Sequence, residues 1–284
     1  MPITMSRRDQ EAEFQILLDR QSALDIGAFV VDGVDISPGA AIPSDGDRRI
    51  DQALQGFFFT CGPDHIRHPE PVEGFDDGRR FPLHGSLCGT PVRRTEMPAP
   101  GEPPGCFAET EVLLADGGTA LVTRRWAISR DEAEVLLSDR VTNTGAKPFA
   151  PMLMYHMNIS GSMLGEDTHI GGTMFGDERQ PWRFGEGDSA HFCLPAAKTA
   201  DDGWAQVSLG PFDALSGRSV IVRFSTVTLP FLQMWRCQRG TADVISIEPV
   251  SHRIAKRTDL AAAGEMPMLA LGETVDYALA FQIR

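Results

Sequence analysis

The chain has 284 residues, 42% of them hydrophobic, so it has enough apolar material for a sizeable buried core and a length compatible with one large domain over residues 1–284. Its 26 basic against 39 acidic residues give a formal charge of −13 and a pI of about 4.9, which argues against a nucleic-acid partner because the average surface field repels phosphate. Five cysteines without a CxxC pair read as free thiols in a reducing compartment, and no apolar leader or membrane-length apolar run is present, so a soluble cytoplasmic protein is expected.

In chain order, RRDQEAEFQILLDRQ (residues 7–21) reads as an amphipathic helix, and residues 1–20 as a segment peripheral to the domain. GAFVV (27–31) follows as a strand. RRTEMPAPGEPPG (93–105) is proline-rich and reads as a long solvent-facing connection. CFAETEVLLA from Cys106, TALVTRRWAIS from Thr119 and EAEVLLSDRVTN from Glu132 read as strands with charged positions on a wet face. GGTA before Leu121 and SRDE before Ala133 supply hairpin turns between them, and VTNTG turns the chain again. APMLMYHMN (150–158) reads as a buried strand. SVIVRFST from Ser219, FLQMWRC from Phe231, ADVISIEPV from Ala242 and VDYALAFQI from Val275 continue the strand pattern, and TDLAAAG from Thr258 is a short helix. The class is all-β, with few short helices and no internal repeat.

Walker-type, dinucleotide-binding, HExxH and GxSxG signatures are all absent, which leaves histidines and carboxylates as the candidate chemistry. His84, in FPLHG, stands between rigid Pro82 and permissive Gly85, a setting that suits a strand end with the backbone close by. His156 lies inside an apolar run, where an imidazole needs a hydrogen-bond partner or a cavity. Asn158 shares its face on a strand. Read alone, the two line either a polar pocket or a solvent-facing side. Glu248, closing VISIEP, is either edge solvation or a base whose pKa is raised by burial.

FFFTCGPDHIRHP, FPLHGSLCGTPV, VTNTGAKPFAPMLMYHMNIS and ISIEPVSHRIAKRTDLAAAGEMPMLALGETVDYALAFQI resemble, in this order, the landmarks of the galactose mutarotase-like (aldose 1-epimerase) superfamily. Within it they are most similar to a branch of bacterial aldose 1-epimerase-like proteins largely without assigned function. LDIG (24–27) resembles the branch's N-terminal landmark, with Gln21 and Ser22 where a more typical member has Arg and Gly. The resemblance implies a large antiparallel β-supersandwich and a site made of His84, His156 and Glu248.

It also implies a chemistry. Interconverting the anomers of a free aldose needs a base for the anomeric hydroxyl and an acid for the ring oxygen, and no cofactor or metal. Glu248 is the implied base and His156 the acid, with unperturbed pKa values of about 4.3 and 6.5. His84 would stabilise charge as the ring opens, Asn158 would bind a hydroxyl, and Trp235 would offer a face to the sugar ring. Arg67, beside His65 and His68, and Arg236, after Trp235, suit an anionic group and suggest a uronic or sulfonated sugar. Two other readings stand beside this one. A metal-dependent sugar isomerase would use His65, His68, His84 and Glu248 as ligands, which needs a turn in HIRH because residues three apart on a strand face opposite sides. A carbohydrate-binding sandwich without catalysis is the second.

Overall fold

Glycine, proline, asparagine and aspartate cut the chain into short runs, and most of these runs are strands in the computed structural model, which describes residues 2–8, 13–40, 42–44, 46–99, 101–129, 134–200 and 202–284. The strands are β1 (Ile3–Arg8), β2 (Glu13–Asp19), β3 (Asp25–Val31), β4 (Val34–Asp35), β5 (Phe58–Cys61), β6 (Arg94–Glu96), β7 (Gly105–Leu113), β8 (Thr119–Ile128) and β9 (Val135–Asn143). They continue with β10 (Met154–Ser160), β11 (His169–Gly172), β12 (Gln180–Pro181), β13 (Ser189–Pro195), β14 (Trp204–Phe212), β15 (Arg218–Ser225), β16 (Phe231–Cys237), β17 (Val244–Val250) and β18 (Thr274–Ile283). Among the described residues two short helices, α1 (Arg48–Ala53) and α2 (Arg257–Ala262), complete the regular structure apart from single 3₁₀ turns. No helix among the described residues is long and apolar enough to cross a membrane.

The strands form two antiparallel sheets. One runs β1-β2-β3-β5-β10-β17-β16-β13 with β4 paired to β3, and the other runs β12-β11-β14-β15-β18-β9-β8-β7-β6. Their inner faces meet in one large apolar core, where Phe29 of the first sheet lies 5.3 Å from Phe281 of the second and Phe58 lies 5.3 Å from Trp126. The all-β sandwich expected from the sequence is therefore the fold. The first sheet also buries its outer face, against α1, α2 and the long loop between β5 and β6, through Ile50, Leu54, Ile66, Leu83, Met154, Val250 and Leu260. That double burial explains why β10 and β17 read as nearly continuous apolar runs: every residue in both strands is buried.

Three expectations change. Ile3–Arg8 and Glu13–Asp19 are strands, not a peripheral amphipathic helix: β1 pairs antiparallel with β2, and Phe14, Ile16 and Leu18 alternate into the core with exposed Glu13 and Gln15. An apolar set at 14, 16, 17 and 18 fits both periods, and pairing of β2 with β3 decides for the strand. The turn at SRDE falls mainly on residues 130–133, outside the described residues. The connection 93–105 is interrupted by β6 on β7 and lies at the edge of the second sheet.

The third change concerns charge. Alternation along β8 and β9 puts Arg124 and Asp139 on the core face, not the wet one, with Arg124 only 1% exposed. The guanidinium is held by Asp139 (2.7 and 2.9 Å) on the neighbouring strand, and across the sandwich by Asp25 (2.7 Å), the Thr60 hydroxyl (2.6 Å) and the Ala23 carbonyl (2.9 Å). The Tyr155 hydroxyl donates to Asp139 (2.9 Å), and Thr60 donates to Asp25 (2.9 Å). Arg124→Met should therefore leave two buried carboxylates without their cation and cost about 3–5 kcal/mol. Chemical denaturation would read this as a large drop in midpoint, and an unchanged midpoint would show that the cluster carries no stability.

Candidate active site

Sheet register brings the candidate residues together. β10 pairs with β17 so that Met154 faces Val250 and Asn158 faces Ser246, which puts His156 opposite Glu248. On the other side of β10, His156 pairs with Phe59 of β5, and beyond β17 Glu248 pairs with Gln233, which pairs with Cys193. Phe59, His156, Glu248, Gln233 and Cys193 thus form one row across five strands on the outer face of the first sheet. His156 Nε2 is 3.2 Å from Glu248 Oε1, and its ring stacks on Phe59 at 4.6 Å.

His84 reaches this row from the loop. It adopts a left-handed backbone (φ 58°), followed by Gly85 (φ 83°), where a Cβ would stand 2.1 Å from the His65 carbonyl. The tight corner is held by His84 N–H to the Arg67 carbonyl (2.9 Å) and Gly62 N–H to the His84 carbonyl (2.9 Å). Arg49 of α1 also donates to the carbonyls of Leu83, Gly85 and Cys88. The His84 ring sits 5.8 Å from that of His156, and its Nδ1 donates to the Ile66 carbonyl at 3.2 Å, which leaves Nε2 as an acceptor.

His84, His156 and Glu248 line a cavity of about 260 Å³ with Arg67, Gln233, Met154, Leu54, Ile66 and Trp235, and with His68, His191 and Ile254 exposed at its rim. It lies just below the range of about 300–1,000 Å³ usual for small-molecule sites, so it suits one small ligand. The Trp235 ring forms a wall, 5.9 Å from His156.

Glu248 is 1% exposed, and burial pushes its carboxyl up to about 7 against the hydrogen bonds from Ser246 and Gln233 and the pull of Arg67. Burial likewise pulls His156 down to about 4, opposed by its bond to Asn158. His84 falls to about 3, through burial and then the nearby His156. The pair of His156 and Glu248 therefore retains one proton between about pH 4 and about 7.

Arg67 donates to Gln233 Oε1 (2.6 Å) and to the His252 carbonyl (3.0 Å). Gln233 in turn donates to Glu248, so the cation is linked to the carboxylate through an amide. Among the described residues no carboxylate lies within ion-pair distance of Arg67.

Three sequence-predicted site residues stand apart from the cavity. Asn158 is 0% exposed and turns sideways, with its Oδ1 2.6 Å from His156 Nδ1 and its amide N–H₂ on the Gly56 carbonyl (3.0 Å). Arg236, one residue beyond Trp235, points to the opposite face and donates to the carbonyls of Phe184 and Gly187. His65 is buried on Phe81 and donates from Nε2 to the His68 carbonyl (2.7 Å), so HIRH does not converge its rings on one point. Among the described residues no group of three or more His, Cys, Asp or Glu is arranged to hold a metal ion. Conversely, Gln233, Ser246 and His191 were missed. Gln233 and Ser246 each stand two positions before a chosen residue, Trp235 and Glu248, and strand periodicity marks them. His191, in the run SAHFCLP, carries no such signal.

Two antiparallel sheets with this loop-covered row define a galactose mutarotase-like fold, and solved structures agree. The chain is similar to a protein of Klebsiella pneumoniae subsp. pneumoniae MGH 78578 proposed to be an aldose 1-epimerase (TM-score 0.76, 15% identity, 99% of this chain and 83% of that one). It is similar to a galactose mutarotase-like protein of Lactobacillus casei ATCC 334 (TM-score 0.68, 12% identity, 100% of both chains). It is also similar to galactose 1-epimerase of Lactobacillus acidophilus NCFM (TM-score 0.66, 12% identity, 100% of this chain and 94% of that one). The chain belongs to the family described as "Domain of unknown function (DUF4432)", whose model matches residues 2–181 and 184–283. No curated protein sequence matches it.

An NMR titration of histidine- and glutamate-labelled protein should show the His84 ring neutral from pH 8 down to 5, with the Glu248 carboxyl titrating near 7. A His84 midpoint near its ordinary value would show a wetter site than the geometry describes.

Proposed function

We propose that the protein is a cofactor-independent mutarotase that interconverts the anomers of a free aldose. The observation that carries this reading is the His156–Glu248 pair: an acid and a base 3.2 Å apart, sharing one proton, at the floor of a cavity sized for one small molecule. Three solved structures of the same fold bear names of this activity, which supports the class of reaction.

The anomeric O1–H gives its proton to whichever partner lacks one, and the ring oxygen O5 receives the proton held by the other. The C1–O5 bond breaks as C1=O1 forms, C1 rotates, and reclosure on the other face reverses both transfers. In the ionic arrangement Glu248 is the base and His156 the acid, and the net protonation of the pair is unchanged over the cycle. Neutral His84 contributes Nε2 as an acceptor for a sugar hydroxyl, and Trp235 an apolar face for the ring.

Exchange spectroscopy of anomer interconversion tests this directly. Glu248→Gln and His156→Ala should each lose about 10²–10⁴-fold in rate. The pH profile should be bell-shaped: below about 4 both partners are protonated and no base remains, and above about 7 the pair has lost the proton that O5 needs. A sugar that binds without turnover would favour a carbohydrate-binding protein instead.

The substrate we infer carries an anionic group, as a uronic or sulfonated sugar does. In a chain of net charge −13, the cavity holds Arg67, which has no carboxylate partner among the described residues, with His68 and His191 at its rim and Glu248 as the one carboxylate among its described lining residues. Acidic sugars should exceed their neutral counterparts in kcat/KM by about tenfold or more, the scale of one charge-assisted contact, and Arg67→Met should erase that ratio. Equal kcat/KM for both classes in wild type would end the assignment.

A further inference from the structure

We infer that Asn158 is a positioning residue that locks His156 in the Nδ1–H tautomer, so that the bare Nε2 faces Glu248 and the pair's single proton is shared along that line. The hydrogen-bond network dictates the orientation. The Gly56 carbonyl can only accept, so the Asn158 edge that meets it at 3.0 Å is the N–H₂. Its Oδ1 is then the atom 2.6 Å from His156 Nδ1, and an amide oxygen can only accept, so Nδ1 carries the proton. The amide is sealed from solvent, and a flip would set its oxygen against the Gly56 carbonyl, two acceptors with no proton between them.

The consequence lies at the other end of the ring. With Nδ1 protonated, a neutral His156 meets Glu248 with a lone pair, and a proton between Nε2 and Oε1 can sit on either atom. In the opposite tautomer, Nε2–H would be donated permanently to the carboxylate, and His156 would have no basic nitrogen toward the substrate. The titratable groups around His156 are Glu248 from β17 and His84 from the loop, with Arg67 behind Gln233. None of these bonds to Nδ1, so Asn158 alone sets the tautomer. The catalytic consequence rests on the mutarotase reading, whereas the tautomer does not.

The test is ¹⁵N NMR of histidine-labelled wild type at neutral pH, joined to rate measurements on two variants. In wild type, His156 Nδ1 should be protonated, and Nε2 bare or sharing the proton. A ring protonated on Nε2 with Nδ1 bare would overturn the inference whether or not any sugar is turned over. Asn158→Leu, close in size but without an acceptor, should move the ring toward Nε2–H and lower kcat about 10- to 100-fold with KM within about twofold. Asn158→Asp should keep the wild-type tautomer and regain most of kcat, because a buried neutral carboxylic acid both donates to Gly56 and accepts from Nδ1. A folded Asn158→Leu with wild-type tautomer and rate would also overturn it. Should that variant not fold, the wild-type spectrum decides.

Discussion

The buried cation of Arg124 is the constraint on which the sandwich and its site both depend. Desolvating a guanidinium between two β-sheets is costly, and the position is tenable only because Asp139 on its own sheet and Asp25 and Thr60 on the other sheet converge on it. The cluster therefore specifies how the sheets meet, which apolar contact alone does loosely. It also acts on the site from behind. Thr60 and Tyr155, which complete the cluster on the inner face, are the chain neighbours of Phe59 and His156, whose rings stack on the outer face where His156 lines the cavity. Pinning β5 and β10 on one side holds the imidazole still on the other.

The same economy runs along the outer face. One cross-sheet row supplies the stacking partner of the imidazole, the imidazole, the carboxylate and the amide that links the carboxylate to Arg67. Each is held by pairing of its strand, so geometry is maintained by backbone ladders and not by mobile loops. His84 and Arg67 come from the loop between β5 and β6, and at His84 a left-handed corner, a glycine without room for a Cβ and three carbonyls held by Arg49 supply the rigidity that a strand would have given. Dry surroundings then set the electrostatics. They raise the carboxyl and lower the imidazoles, and a pair that would be an ion pair in water becomes a pair that shares one proton.

Much of this was legible along the chain. Period-two alternation and turn residues marked the strands, and unusual residues in otherwise apolar strands, His156 and Glu248, marked the candidate site. The failures have definite causes. Phe14, Ile16, Leu17 and Leu18 satisfy two periodicities, so only pairing with β3 could choose. Arg124 and Asp139 looked like surface charges because alternation tells which residues share a face and not which face is buried. Asn158 shares a face with His156, as expected, but its side chain is consumed by a ring nitrogen and a carbonyl. Arg236 falls on the opposite face of β16 from Trp235.

By itself, then, the sequence determined the strand pattern, the residue types of the candidate site and their order along the chain, because local periodicity, turn chemistry and the cost of a buried imidazole are properties of short segments. Only the tertiary structure decided that residues 59, 156, 193, 233 and 248 form one row, that Arg67 reaches Glu248 through Gln233, and which nitrogen of His156 is protonated. Those facts depend on strand register and on burial from both sides, which are fixed by contacts between segments far apart in the chain, as between Arg67 and the His252 carbonyl 185 positions on, and no local stretch contains them.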